Sequence, residues 1–310
     1  MKHLLVYIFM FELLLSSCTF QDEPAVCPFN VRLQYWYAGY AYENRLPLRV
    51  DNLREYLYDS SGSLIQTKEL RGDSLTGYEA TLPPGDYTIV TWGNLENRAS
   101  GSLITSDNNK MQATTLCCSP YNLSNDCHGN TERLYYGSAS FTVPPAGVLN
   151  QRIYVSHAHA NLKITVYWRV PRPDLKGTLR MRLRTIPTKY GFWVGHDIPA
   201  ANGAGPHLVP HIEDVLADHE ARAAIDYNDD VIGEFVTHRF TNDTHPLWSL
   251  TCNGKQVVKE LDLQRYFSKS AIDLDHNVEQ EFHLLVIIEE NQTIVTEISG
   301  TDWDEGGVLG

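Results

Sequence analysis

The chain has no run of eighteen or more apolar residues, so no segment is long enough to cross a bilayer as a helix. Basic residues are few: 25 Lys and Arg stand against 38 Asp and Glu in 310 residues, a formal net charge of −13. They are scattered, with no run longer than two, which argues against a phosphate-backbone reader and so against nucleic acid as a partner. Gly-x-Ser-x-Gly, His-Glu-x-x-His and Gly-x-Gly-x-x-Gly are all absent. Accordingly no catalytic residue, no metal and no cofactor are expected. Long amphipathic helical patterns and short-period repeats are missing too. What the chain does have is aromatic area: 17 Tyr, 10 Phe and 6 Trp exclude disorder as the dominant state.

The first eighteen residues carry an address. Lys2 and His3 precede an apolar run from Leu4 to Phe11, extended by Leu13, Leu14 and Leu15. Small residues then lead into a cysteine, Leu15-Ser16-Ser17-Cys18, the charged–apolar–small order of a secretory signal. The last four resemble a bacterial lipobox. That resemblance implies removal of residues 1–17 and diacylation of Cys18 through its thiolate. Residues 18–28 would then be a lipidated tether. Its T-F-Q-D-E start (19–23) resembles the signal that sends Bacteroidetes lipoproteins to the outer face of the outer membrane. At ~0.8 kcal/mol per buried methylene, three acyl chains hold such a protein permanently.

Five further cysteines remain: Cys27, Cys117, Cys118, Cys127 and Cys252. An exported chain can form disulfides, and Cys127 is placed to close a short loop with Cys117 or Cys118. The cysteine and histidine spacings nearby do not form a zinc motif.

The rest reads as short strands. Phe29–Tyr37 alternates apolar and polar, and Leu53–Tyr58 turns at Asp59–Gly62 into Ser63–Thr67. Tyr78–Leu82, the turn Pro83–Asp86, the β-rich run Tyr87–Trp92 and Leu134–Val143 follow. Residues 96–130 read as a long decorated loop or short helical turn. Val143–Gly147 is the best linker, and Gln151–Val170 reads as one long strand. Residues 195–230 are the least legible, with a short helical patch near Ile212–Ala224. Later come Glu234–Phe240, a hairpin of Leu247–Cys252 and Lys255–Leu261 around Asn253-Gly254, a helical turn at Gln264–Ser270, and a last hairpin around Asn291-Gln292. Turn signals about every ten residues argue for an all-β fold of sandwiches, one over 29–147 and one over 148–310.

Several segments carry a wider resemblance: the lipobox, C-P-F-N-V-R-L-Q-Y (27–35), V-D-N-L-R-E-Y-L-Y-D-S-S-G-S-L (50–64), L-P-P-G-D-Y-T-I-V-T-W-G-N (82–94), L-Y-Y-G-S-A-S-F-T-V (134–143), A-H-A-N-L-K-I-T-V (158–166) and I-S-G-T-D-W (298–303). In this order they resemble the FimB-like fimbrial anchoring-subunit lipoproteins of the Bacteroidales. The resemblance implies two transthyretin-like β-sandwich domains in tandem. It further implies a type V fimbrium anchored to the outer membrane through lipid on Cys18. The partner would be a stalk pilin, joined by β-strand addition. The chain stops soon after Trp303 with no long alternating tail to donate, as a terminal subunit would.

A surface glycan-binding lipoprotein is the alternative, with Trp36, Trp92, Trp168 or Trp193 stacking on sugars. His157 and His159, two apart, read as a surface or interface pair rather than metal ligands, and so do His207 and His211. Arg71-Gly72-Asp73 reads as an ordinary turn more than as an adhesion tripeptide. Asp73-Ser74-Leu75 resembles the Bacteroidetes O-glycosylation pattern, which makes Ser74 a candidate. Asp302, Asp304 and Glu305 read as a solvated acidic end.

Overall fold

The computed structural model describes residues 28–297 apart from 41, 97–101, 108, 119–120, 123–126, 193–196 and 199–206. Its described residues are nearly all β, as expected. The first sheet runs β3 (Leu64–Arg71), β2 (Asn52–Asp59), β5 (Gly85–Gly93), β10 (Tyr135–Val143), β11 (Leu149–His157), β1 (Val31–Tyr37), β4 (Gly77–Ala80). β10 and β11 touch only at Tyr135↔His157 and Tyr136↔Ser156, whereas β11 runs parallel to β1 along its whole length. The sheet therefore folds at a corner into two layers. Period-2 alternation in β1 puts Val31, Leu33, Tyr35 and Tyr37 between them, against Leu53, Leu57, Ile89, Ile153 and Val155.

The second sheet runs β21 (Lys255–Asp262), β20 (Leu247–Cys252), β13 (Leu179–Pro187), β18 (Leu216–Ile225), β19 (Val231–His238), β12 (His159–Trp168), β22 (Glu281–Ile288), β23 (Thr293–Glu297). It turns its corner at β18, which pairs β13 through Arg222 and β19 from Ala223. Leu162, Ile164, Met181, Leu183, Phe235 and Trp248 fill its core. Two short helices, α1 (Leu46–Arg49) and α2 (Gln264–Lys269), add Leu46 and Phe267 to the two cores. In the β20–β21 hairpin, Asn253 and Gly254 sit at φ 50° and 77°, the left-handed pair that a tight hairpin turn requires.

Three stretches fold differently from what their local pattern suggests. Val143–Gly147 joins β10 to β11, two strands of one sheet, and the chain leaves that sheet at Ala158. Gln151–Val170 is accordingly two strands in different sheets. The helical patch near Ile212–Ala224 is β17 (His211–Ile212) and most of β18. There His219, Ala221 and Ala223 alternate inward, and burial overrides the weak strand preference of alanine.

Residues 96–130, expected as a decorated loop, form strands and meet residues 195–230, with His128 opposite His219. Residues 96–130 supply β6 (Leu103–Ser106), β7 (Thr114–Cys117), β8 (Tyr121–Asn122) and β9 (Cys127–His128). β7 pairs β14 (Lys189–Gly191), β14 pairs β17, and β6 flanks β7 in a small third sheet. β15 (Asp197–Ile198) pairs β16 (His207–Leu208), which lies near β10 and β11. This sheet covers the outer face of β2, β5 and β10 over a third core of Tyr56, Val90, Trp92, Leu116, Tyr136, Tyr190 and Phe192.

Candidate functional site

Two features stand out as places where this fold could act: a polar seam where the sheet units meet, and the free sheet edges. β11 ends at His157 and β12 starts at His159, with Ala158 held by its N–H on the Leu134 carbonyl at 2.9 Å. The two rings stack at 4.4 Å, tilted by 18°, and Tyr135 meets both edge-on. Neither is a surface residue: each histidine is 0% exposed.

Around them the polar groups are closely paired. His159 Nδ1 lies 2.7 Å from the Leu134 carbonyl and Nε2 lies 3.3 Å from Glu281 Oε1. His157 Nδ1 lies 3.8 Å from the same oxygen, and neither ring nitrogen of His157 has a hydrogen-bond partner. Asn161 donates to Glu281 Oε2 at 2.8 Å. Burial raises the Glu281 pKa, but the bonds from His159 and Asn161 outweigh it and hold the carboxyl below its usual range. Burial, with His159 and Arg49 nearby, pushes His157 well below the normal histidine pKa, so it is neutral. Below the pair, Tyr37 donates its hydroxyl to Glu279, which also pairs with Arg49 at 3.4 Å.

Arg239 ties the seam together. It is buried and donates to the carbonyls of His157 at 3.0 Å, Leu274 at 2.9 Å and Asn277 at 2.8 Å. Its backbone N–H donates to the Tyr190 hydroxyl at 2.8 Å, and that hydroxyl donates to the Ala158 carbonyl. A second buried histidine group lies beyond: His128 and His219 stack at 5.4 Å, and His238 stacks on Tyr190 at 4.2 Å.

Among the described residues, the sheet edges differ in how they are guarded. β3 carries Lys68, Glu69 and Arg71, and β21 carries Lys255, Lys259, Glu260 and Asp262, charges that discourage pairing. The open end of β1 beyond β4 is capped by Asn44, whose amide donates to the Tyr35 carbonyl at 2.7 Å and whose oxygen accepts from Tyr37 N–H at 3.3 Å. β23, Thr-Ile-Val-Thr-Glu, has no charge before Glu297 and no strand on its outer side.

The residues singled out from sequence scatter. Cys117, Cys118 and Cys127 are free thiols, so the expected loop-closing disulfide is not formed. Cys117 ends β7 against β14, while Cys127 sits in β9 beside β18, in a different sheet. Ser74 is half-buried in a 3₁₀ turn (Gly72–Thr76), its hydroxyl donating to the Arg71 carbonyl at 2.8 Å. Arg71 and Asp73 are exposed on the same turn, with Arg71 paired to Glu69. Trp92 is fully buried in the third core, which removes it from any glycan platform. Trp36 is half-buried under the Arg152 guanidinium at 4.4 Å, and Trp168 packs against the second core. His211 is half-buried in β17. Cys18, Cys27, Trp193, Asp302, Asp304, Glu305 and the side chain of His207 lie outside the described residues. Glu281 and Arg239 were missed because nothing in the sequence links them to His157 from so far along the chain.

Curled sheets with buried polar junctions and free strand edges define this molecule as an all-β protein. Fimbrillin-A associated anchor proteins Mfa1 and Mfa2 form the family that matches residues 23–306, and the chain belongs to it. It is a family of fimbrial anchor proteins, not an enzyme family. Among solved structures, the fimbrial anchor protein Mfa2 from Porphyromonas gingivalis shares this fold with a TM-score of 0.63 at 14% identity, covering 87% of this chain and 95% of that one. A Bacteroides thetaiotaomicron protein described as a candidate polysaccharide-binding protein gives 0.66 at 15% identity, covering 87% and 98%. A candidate adhesin from the same species gives 0.62 at 16%, covering 88% and 97%. No curated protein is significantly similar.

Proposed function

We propose that this protein is the anchor subunit of a fimbrium, held in the outer membrane by lipid on Cys18 and facing outward from the cell. It is joined to a stalk pilin by β-strand addition. The family match over residues 23–306 carries the anchoring role. The lipobox Leu15-Ser16-Ser17-Cys18 supports the lipid, with residues 1–17 as the signal peptide and 18–28 as the tether. The sheet topology favours placing the junction of two sandwiches at Ala158. Ser74, exported with the chain, is a candidate for O-glycosylation.

Cys18→Ala in the native host tests the anchor. The expected result is protein lost from the membrane fraction and fimbriae that shed or lengthen. If membrane attachment goes but the fimbriae stay unchanged, the lipid assignment survives and the anchoring role is wrong. Surface glycan binding, in line with the printed description of one structural relative, would then be the better reading.

For strand addition, β23 is the edge we favour, because it is β-branched and unguarded by charge. Glu289 N–H donates to the Gln292 carbonyl at 3.0 Å, so alternation along the hairpin turns the N–H of Val295 away from β22. Val295→Pro therefore removes an outward donor without breaking the β22 ladder. The expected outcome is a folded, membrane-bound protein that no longer co-purifies with pilin. Normal pilin recovery would place the docking edge elsewhere.

A further inference from the structure

The seam between the sheet units holds more ligand chemistry than packing requires. A carbonyl can only accept, so His159 must place its proton on Nδ1, toward Leu134 at 2.7 Å. That contact aims Nε2 at Glu281 Oε1, 3.3 Å away, two atoms that need either a proton or a cation between them. His157, fully buried with neither ring nitrogen hydrogen-bonded, offers Nδ1 to the same oxygen at 3.8 Å. Something positive belongs between these three atoms.

We propose that His157 Nδ1, His159 Nε2 and Glu281 Oε1 bind one zinc ion, with water as the fourth ligand. The three atoms all lie within 4.8 Å of one another. Zinc takes nitrogen and carboxylate oxygen at about 2.0–2.2 Å in a tetrahedron, which puts its ligands roughly 3.3–3.5 Å apart. Two of the observed spacings, 3.3 and 3.8 Å, are already close to that. Zinc needs each ligand lone pair in line with the ion, so binding fans the two rings apart from their 18° stack.

The surroundings are those of a metal ligand set. The Leu134 carbonyl fixes the His159 tautomer, and Asn161 holds the second oxygen of Glu281 at 2.8 Å, as outer partners of metal ligands do. Arg49 is near, but Glu279 pairs with it at 3.4 Å, and Arg133 pairs with Glu234 at 3.3 Å. The Glu281 side chain is 32% exposed, which gives water and the ion a way in. His157 belongs to β11 of the first sheet, and His159 and Glu281 belong to β12 and β22 of the second. One ion would thus fasten the two units across the joint that carries load between membrane and fimbrium.

The test uses the full chain in detergent, stripped with EDTA and titrated with Co²⁺ and then Zn²⁺. One equivalent of Co²⁺ should give the strong visible bands of a four-coordinate site, and Zn²⁺ should abolish them. Zinc at a hundredfold excess over Kd should raise Tm by about 5 °C. His157→Ala and Glu281→Gln should each weaken zinc at least about tenfold and cancel the Tm rise. Absence of saturable one-equivalent binding overturns the proposal, as does binding that persists in Glu281→Gln. Thiolate charge-transfer bands also overturn it, since they assign the ion to the cysteines. Should His157→Ala fail to fold, Glu281→Gln decides alone, being isosteric and at a half-buried position.

Discussion

Arg239→Met is expected to destabilise the protein by on the order of 3 kcal/mol or more, the largest effect of any single substitution at the seam. The side chain of Arg239 is 1% exposed and gives three hydrogen bonds to carbonyls from two places: His157 at the end of β11, and Leu274 and Asn277 in the loop before β22. Burial lowers its pKa to about 10, which leaves it charged at neutral pH. Methionine fills the volume but donates nothing, so three carbonyls lose a charged donor. At about 2–4 °C per kcal/mol for chains of a few hundred residues, Tm should drop by roughly 6–12 °C. Arg239→Lys keeps the charge without the planar fork and should fall between the two. A methionine variant melting within a degree of the parent would show that the carbonyls find other partners and that Arg239 holds nothing together.

Stability should also fall steeply as pH drops from 6.5 toward 5. Burial, with His128 beside it, lowers the pKa of His219 to about 3. Burial, with His219 and His128 nearby, puts His238 well below the usual histidine range. In the unfolded chain both titrate near 6.5. Below that pH the unfolded state therefore binds protons that the native state refuses. The stabilisation is fully present above about 6.5 and is lost as pH falls toward the native pKa values, at about 1.4 kcal/mol per pH unit for each group. Glu55 acts in the opposite sense, since burial raises its carboxyl despite bonds from Tyr35 and Tyr78, but it does so nearer the carboxylate range. Urea midpoints at pH 7.5, 6.5, 5.5 and 5 measure the slope. His157 is buried neutral as well and adds to the slope, so His238→Phe, which keeps the stack on Tyr190, should remove roughly a third of it. A flat profile between pH 6.5 and 5 would rule out neutral burial of these histidines.

Loss of the seam should matter more to an anchor than to a free protein. On the proposed docking at β23, a fimbrium would load the joint at Ala158, where Arg239, Tyr190 and the histidine pair converge. The two predictions therefore bear on the same place: one removes a cation that the seam requires, and the other adds protons that its surroundings exclude.

Much of the fold was legible because strand patterning is local. The inward alternation of Val31, Leu33, Tyr35 and Tyr37 can be read from neighbouring letters, and so can the Asn253-Gly254 turn. The same holds for the order of segments that pointed to fimbrial anchors. Patterning failed where partners come from far away. Thr114–Cys117 forms a strand only because Lys189–Gly191 arrives beside it. Leu216–Ile225 looks helical until burial of His219, Ala221 and Ala223 selects a period of two.

By itself, then, the sequence determined an all-β chain and the family it belongs to, since each depends on residues close together. Tertiary structure alone decided that Trp92 is core, that Cys117, Cys118 and Cys127 stay apart, and that the change of sheets comes at Ala158 rather than at Gly147. It alone decided that His157 and His159 meet Glu281, more than a hundred residues downstream, at 3.8 and 3.3 Å. Side-chain meetings of that kind are set by which strands pair, and strand pairing depends on the burial of the whole sheet at once.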